Sequence, residues 1–166
     1  YEAFSRNCDD GLGLAPMMMH HLHGSTAIAG SLFYADNKFP PEYQNDVFTG
    51  NVVTCRINLD HLVYHGSSPK AIEQPDFLST DDPWFRPVSI IMGPDGAIYV
   101  SDFYNRIIGH YEVPLTNPGR DYERGRVWRI TYKGMKPRNF DISKDGADQL
   151  IALFNDPNLM VRMLAM

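Results

Sequence analysis

The chain has 166 residues, of which 43% are hydrophobic and 21% are charged, and its formal net charge is −5 at pH 7. This composition is that of a folded protein and argues against global disorder. The negative charge, without any Lys/Arg run longer than a pair, argues against a nucleic-acid-binding face, and no apolar stretch reaches the length of a membrane span.

Three histidines, His20, His21 and His23, fall close together in an N-terminal segment without clear periodicity. Imidazoles at this density could bind a metal. Their spacing is not that of a zinc site, and no cysteine or acidic pair lies nearby in sequence, so we predict no metal site. A loop that lines a pocket explains the segment equally well, and we expect His23 to face a central cavity.

Two cysteines, Cys8 and Cys55, are too few for a disulfide framework. They could pair in an oxidising compartment or remain unrelated thiols, and the sequence leaves both readings open. Cys55 lies in a strand-like run, residues 51–59, where a thiol packs as a small hydrophobe.

The first half of the chain is predicted to form one group of strands. Alternating or β-branched apolar runs occupy residues 26–36, 46–59 and 62–64. A turn is predicted at residues 65–69, and residues 71–78 form either an outer strand or an extended loop.

Residues 82–130 have the clearest β pattern. Residues 88–92 and 97–100 are short apolar runs, separated by Gly-Pro-Asp-Gly at residues 93–96. The proline fixes φ and the glycine allows a positive φ, as a hairpin turn requires. Two further runs of strand-like length follow, at residues 107–113 and 126–132. Four sequential strands joined by short connections are typical of one blade of a β-propeller.

The two halves of the chain echo each other. An apolar pair, a small residue and a polar terminator precede an alternating strand with an arginine in residues 48–59, and again in residues 99–132. Such self-similarity indicates a propeller or a solenoid. Because a closed ring needs roughly four to eight blades, we predict a mainly β fold, a partial β-propeller of about two four-stranded antiparallel blades with a short α-helical C-terminal segment. A chain that begins with Tyr1 is also expected to be a fragment.

The composition changes after Lys133. We predict the last blades of a propeller in residues 1–133, a linker in residues 134–144 and the start of a helical repeat in residues 145–166. The break between two apolar helices contains Asp156 as a possible cap and Pro157 at a first helical position.

A polar connection, residues 111–126, is too long for a tight hairpin. Long loops in compact domains are often functional, but a solvated, ion-paired flap explains the composition equally well.

Five segments of the chain carry a family likeness. They are residues 23–30 (His-Gly-Ser-Thr-Ala-Ile-Ala-Gly), 81–88 (Asp-Asp-Pro-Trp-Phe-Arg-Pro-Val), 93–115 (Gly-Pro-Asp-Gly-Ala-Ile-Tyr-Val-Ser-Asp-Phe-Tyr-Asn-Arg-Ile-Ile-Gly-His-Tyr-Glu-Val-Pro-Leu), 118–121 (Pro-Gly-Arg-Asp) and 124–130 (Arg-Gly-Arg-Val-Trp-Arg-Ile). These segments resemble the large membrane-bound dehydrogenases of planctomycete-type bacteria. In that family a propeller similar to the soluble glucose/sorbosone dehydrogenases precedes HEAT-like helical repeats and often a c-type haem domain. The resemblance implies that residues 145–166 begin the helical array and that the protein is exported to the periplasm or the cell surface.

The resemblance also implies a quinoprotein-like oxidoreductase that acts on a sugar or an alcohol. The related sugar dehydrogenases bind pyrroloquinoline quinone with calcium, and their chemistry needs a base and cationic groups around the cofactor. Arg86 falls where the family has a cofactor-facing arginine, so we expect Arg86 and His23 to bind the cofactor. The family's catalytic histidine lies in an earlier blade, and this fragment alone is expected to be inactive. The expected electron acceptor is a c-type cytochrome or haem c in a downstream domain.

A loop of polar and aromatic residues follows the second strand of the clearest blade. Its members Asp102, Tyr104, Asn105 and Arg106 are the expected substrate or surface loop. Structural roles remain open for these residues: Asp102 could bond turn amides and Arg106 could pack over Tyr104. Arg86 could pair with Asp81 or Asp82.

A second hypothesis comes from residues 95–107, which are also close to the pattern of NHL-repeat propellers. Such blades mostly present binding surfaces, so the chain could belong to a non-catalytic propeller that binds a protein or a glycan. A third possibility is a purely structural spacer. Polar side chains that converge on the ring axis would favour the enzyme, and an aromatic or charged patch on one face would favour the binding module.

Overall fold

The computed structural model describes residue 19 and residues 21–24, 27–109 and 112–166. In this part of the chain, eight strands form two antiparallel sheets, and two short helices follow. The predicted mainly β fold class is confirmed. Cys8 and His20 lie outside the described residues. None of the described helices is long and apolar enough to cross a membrane.

The first sheet has five strands. They are β1 (Ile28–Phe33), β2 (Val47–Asn51), β3 (Arg56–His65), β4 (Ser68–Glu73) and β5 (Leu78–Ser79). Strand β3 is long because no turn residue interrupts its alternation before Gly66, whose φ of 65° permits the reversal into β4. The run predicted at residues 62–64 is therefore the continuation of β3. The segment predicted as an outer strand or a loop, residues 71–78, contains the end of β4 and the first residue of the separate strand β5.

The second sheet has three strands, β6 (Pro87–Met92), β7 (Ile98–Asp102) and β8 (Arg126–Ile130). The predicted hairpin turn between β6 and β7 is confirmed. The N–H of Gly93 donates to the carbonyl of Ala97 over 2.8 Å, and Gly96 has a φ of 84°. The two sheets of the described chain thus have five and three strands, rather than the four each that were predicted.

The strand predicted at residues 107–113 is absent from the described part of that segment. The reason is local hydrogen bonding. The guanidinium of Arg120 donates to the carbonyls of Ile107, Gly109 and Val113, with the bond to Val113 at 2.6 Å. Because one side chain satisfies these acceptors, the segment has no need of a neighbouring strand.

The two sheets stack face to face around one apolar core. Its members are Tyr34, Phe39, Phe48, Cys55, Ile57, Leu59, Phe85, Ile90, Met92, Ile98 and Val100. The closest approach is at Gly50, where a Cβ atom would lie 2.3 Å from the carbonyl oxygen of Pro87. A Cβ atom at Gly30 would lie 2.7 Å from the Cα of Ser89. This stacking of antiparallel sheets is consistent with neighbouring blades of a propeller.

The C-terminal helices, α1 (Ala147–Ala152) and α2 (Leu159–Leu164), are separated by a 3₁₀ turn, Leu153–Asn155. Asn158 is the N-cap of α2, since its side chain accepts the N–H of Val161 over 3.1 Å. Asp156 therefore does not cap α2, and Pro157 precedes the cap rather than opening the helix.

Asn158 also attaches α2 to both sheets. Its side-chain nitrogen donates to the carboxylate of Asp36 over 2.6 Å and to the carbonyl of Gly93 over 3.0 Å. The N–H of Leu159 donates to the carbonyl of Ala35 over 3.0 Å. The segment predicted to start a separate helical array thus packs on the loops of the β region, while the HEAT-like continuation stays a prediction.

Replacing Gly50 by alanine should destabilise the fold by about 2–3 kcal/mol, because overpacking a tight contact costs about 1–3 kcal/mol and the colliding atoms belong to the backbone. The midpoint of urea unfolding measures this loss. The control is Gly125→Ala, whose new Cβ would meet no atom closer than 3.6 Å. Equal losses in the two variants would contradict the close approach at Gly50.

Replacing Asn158 by alanine should cost about 2–3 kcal/mol, since it removes a cap worth about 1 kcal/mol and leaves buried polar groups without a partner. Amide hydrogen exchange should accelerate in α2 more than in the sheets. The matched control is Asn155→Ala, at an exposed position. Unchanged exchange in α2 after Asn158→Ala would show that other contacts hold the helix.

Candidate functional site

Arg86 lies between the two sheets and is only 7% exposed. Its Nε donates to the carbonyl of Asn105 over 2.8 Å, and its Nη2 donates to the carbonyl of Arg106 over 3.0 Å. Its Nη1 donates to the carbonyl of Val52 over 2.5 Å and to the Sγ of Cys55 over 3.2 Å. The guanidinium therefore connects the β2–β3 turn to the loop after β7. Cys55 is a free, buried thiol.

The carboxylates considered as partners of Arg86 do not bind its guanidinium. Asp82 instead accepts the N–H of Trp84 over 2.9 Å and forms an ion pair with Arg126 at 3.0 Å. These bonds hold the pKa of Asp82 below its ordinary value. Asp81 is exposed. Arg86 is thus a buried cation whose partners in the described part of the chain are main-chain carbonyls and a thiol.

Asp102 is the last residue of β7, and its buried carboxylate accepts four hydrogen bonds. Its Oδ1 accepts the N–H of Arg86 over 2.8 Å and the N–H of Tyr104 over 2.9 Å. Its Oδ2 accepts from Arg126 Nε over 2.7 Å and from Trp128 Nε1 over 3.0 Å. The structural role considered for Asp102, bonding of turn amides, is confirmed.

The sequence echo has a structural counterpart at the ends of the middle strands. Asn51 ends β2 as Asp102 ends β7, and both side chains are buried. Asn51 accepts the N–H of Thr54 over 3.1 Å and donates to Asn58, on the neighbouring strand, over 3.2 Å. The polar terminator recognised in the sequence is therefore a turn-fixing residue in both sheets.

The guanidinium groups over the ring of Tyr104 are those of Arg126, at 4.0 Å from the ring centroid, and Arg124, at 5.7 Å, and not that of Arg106. The ring of Trp84 packs against that of Tyr104, with 5.2 Å between ring centroids. Arg106 is exposed, and its side chain makes no hydrogen bond or ion pair with the described residues. Of the four predicted loop residues, Arg106 is thus the one whose charged side chain makes no hydrogen bond or ion pair with the described residues.

A cavity of about 710 Å³ lies between this loop and the long polar connection. Its lining comprises Trp84, Arg106, Ile107, Pro118, Gly119, Arg120, Asp121, Tyr122, Glu123 and Arg124. Asp121 accepts the N–H groups of Glu123 and Arg124, both over 3.0 Å, and the side chain of Arg124. These bonds lower the pKa of Asp121, which makes it a weak base.

The side chain of His23 contacts different residues from those that bind the guanidinium of Arg86. Its Nε2 lies 2.9 Å from Asp60 Oδ2, and the Nε2 of His21 lies 2.7 Å from Asp60 Oδ1. The sequence analysis missed Asp60, which follows His23 by 37 residues. The available signal was its position in β3, where it alternates with the core residues Ile57 and Leu59 and so faces the opposite side of the sheet.

Pyrroloquinoline quinone carries three carboxylates, so a protein site for it needs several available cations. In the described part of the chain, Arg86 and Arg120 are occupied by carbonyls, Arg124 by Asp121, and Arg126 by two carboxylates. Only Arg106 among these arginines keeps its guanidinium available. These arginines therefore form no cluster of available cations for this cofactor, and the predicted cofactor-binding role of Arg86 stays a prediction.

Replacing Asp102 by asparagine should destabilise the fold by about 3 kcal/mol, because breaking a buried ion pair costs about 3–5 kcal/mol and Arg126 keeps Asp82 as a second partner. Urea unfolding measures the loss. The control, Asp81→Asn, removes an exposed carboxylate and should change stability by less than about 0.5 kcal/mol. A loss in Asp102→Asn no larger than in this control would contradict the structural role.

The chain is similar to one described family of domains. No curated protein and no solved structure matches the chain. One family model, described as a domain of unknown function (DUF7133), matches residues 7–134, which is more than half of the chain. The chain therefore belongs to the family described as domain of unknown function DUF7133.

Proposed function

We propose that this chain is part of an oxidoreductase that acts on a sugar or an alcohol, and that it contributes the substrate-binding surface. The observation that carries the proposal is the cavity between Trp84 and the polar connection, with the available guanidinium of Arg106 at its edge. The resemblance to quinoprotein-like dehydrogenases supplies the reaction class.

The lining of the cavity suits a polyhydroxylated ligand. An indole and a phenol ring, from Trp84 and Tyr122, offer flat apolar faces for the C–H groups of a sugar ring. Arg106 and Glu123 offer charged hydrogen-bonding groups to its hydroxyls. A volume of about 710 Å³ also lies within the range of small-molecule sites.

The residues of this cavity bind and orient, and they do not supply the redox chemistry. Oxidation of a hydroxyl group removes a proton from oxygen and a hydride from carbon, so a base and an electron acceptor are both needed. Asp121 is too strongly hydrogen-bonded to act as that base. We assign the base and the acceptor to other parts of the protein, with a c-type cytochrome or haem c as the next electron carrier and the periplasm or cell surface as the location.

A non-catalytic propeller is the second candidate function. It is favoured by the occupied donors of Arg86, which leave no cationic cluster between the described sheets. The same cavity would then bind a glycan, or a protein through its aromatic and charged side chains, without turnover.

Binding and turnover can be tested together on the full-length protein. Calorimetric titration with a panel of sugars and alcohols should give binding, and dye-linked oxidation of the same compounds should give turnover. Replacing Arg106 by alanine should weaken binding about tenfold or more, since a hydrogen bond to a charged group contributes about 1.5–3 kcal/mol. Lys144→Ala, which removes an exposed positive charge outside the cavity, should leave the affinity unchanged.

Each outcome separates the two candidates. Binding with dye reduction supports the oxidoreductase, and binding of a glycan without dye reduction supports the binding module. Sugar binding that Arg106→Ala does not weaken would contradict the assignment of the cavity. Failure to bind any member of the panel would contradict the oxidoreductase proposal.

A further inference from the structure

His21, His23 and Asp60 form a compact group on the side of the first sheet that faces away from the apolar core. One Nε2 or carboxylate oxygen from each residue lies within 4.8 Å of the other two. The side chain of Asp60 is fully buried, that of His23 is 3% exposed and that of His21 is 19% exposed. The group combines two imidazoles with one carboxylate, which is a donor set that suits divalent transition metals.

The charge around this group favours a cation. No lysine or arginine of the described chain forms an ion pair with Asp60, although a buried carboxylate is costly without a positive partner. A second carboxylate, that of Glu73, lies 3.7 Å from His23 Nδ1. Arg56, the arginine of the adjacent cavity, is paired with Asp76 at 2.9 Å.

The positions of the two ring nitrogens of His23 give a second argument. Nε2 lies 2.9 Å from Asp60 Oδ2, and Nδ1 lies 3.7 Å from the carboxylate of Glu73. A metal bound to Nε2 would leave the ring proton on Nδ1, on the side of Glu73. A histidine ligand whose second nitrogen donates to a carboxylate is the usual arrangement at protein metal sites.

The face of the sheet around this group is polar, and one of its buried hydrogen-bonding groups is unpaired among the described residues. Thr49 on β2 is paired with Asn58 on β3, two residues before Asp60, and these side chains leave the sheet on one side. The hydroxyl of Thr49 is buried and has no hydrogen-bond partner among the residues that the structure describes. A polar face of this kind can accommodate an ion and its bound water, whereas an apolar core could not.

The geometry points to a binding site for a divalent transition metal of the zinc class, with His21 Nε2, His23 Nε2 and a carboxylate oxygen of Asp60 as its ligands. Bonds of about 2.0–2.1 Å to a tetrahedral ion place neighbouring ligand atoms about 3.4 Å apart. The two nitrogen–oxygen separations, 2.7 and 2.9 Å, are shorter than this value, and all three ligand atoms lie within 4.8 Å of one another.

Three protein ligands leave a fourth position open for water or a hydroxyl group of a ligand. A cavity of about 280 Å³, lined in part by His23, Asn58 and Glu73, lies beside the group and gives it a route to solvent. It shares no lining residue with the cavity assigned to the sugar or alcohol. The metal site therefore goes beyond the proposed function, and its test does not depend on the outcome of the sugar-binding test.

The test uses the full-length protein, stripped of metals and then titrated with Zn²⁺ or Co²⁺. We expect one equivalent of Zn²⁺ to bind by calorimetry, and Co²⁺ to give the intense visible absorption of a four-coordinate ion. His21→Asn and Asp60→Asn should each weaken binding more than about 100-fold, since loss of an outer-shell partner alone costs about 10–100-fold. His65→Asn removes an exposed histidine outside the group and should bind as the original chain does.

His21→Asn keeps the test decisive if Asp60→Asn does not fold, because His21 is the most exposed of the three ligands. Circular dichroism establishes that each variant retains the β fold. Two results would overturn the site: no stoichiometric binding of either ion to the original chain, or binding that a folded His21→Asn variant leaves unchanged.

Discussion

The contact between the two sheets depends on one buried guanidinium. Arg86 precedes β6, yet all the acceptors of its side chain belong to the β2–β3 turn or to the loop after β7. A buried cation that binds carbonyls must hold its neighbours in place, because any acceptor that moves away leaves a desolvated donor. The close approach at Gly50 is the steric counterpart, since no other residue lets Pro87 come so near.

Polar residues at the ends of β2 and β7 also fix the loops that Arg86 connects. Asp102 binds the N–H of Arg86, so the carboxylate and the guanidinium fix the same short segment from two directions. Because Asp102 and Asn105 bind groups of the protein itself, Arg106 is the one predicted loop residue whose charged side chain makes no hydrogen bond or ion pair with the described residues. A loop of four predicted site residues therefore yields one charged candidate for binding a ligand.

The two candidate sites consist of different residues and would bind their ligands through different interactions. The cavity beside Trp84 is open, aromatic and charged, as a surface that binds hydroxyl-rich ligands would be. The His21–His23–Asp60 group is mostly buried and has no lysine or arginine paired with its carboxylate among the described residues, which favours a bound cation. The proposed sugar or alcohol site and the proposed metal site share no lining residue, so their tests are independent.

The sequence by itself determined the local structure: the hairpin at residues 93–96, the alternation of β2, β3, β6, β7 and β8, and the helical C-terminal segment. The residues of a turn and the alternation of side chains along a strand are local properties, so a short stretch of sequence is enough to specify them. Residues 107–109 and 112–113 show the limit: their apolar pattern predicts a strand, but the side chain of Arg120 binds their carbonyls. Only the tertiary structure decided which polar groups meet. Arg86 reaches the carbonyls of two loops, and Asp60 reaches two histidines far away in sequence, because buried polar groups take the partners that the packing of the sheets brings within bonding distance.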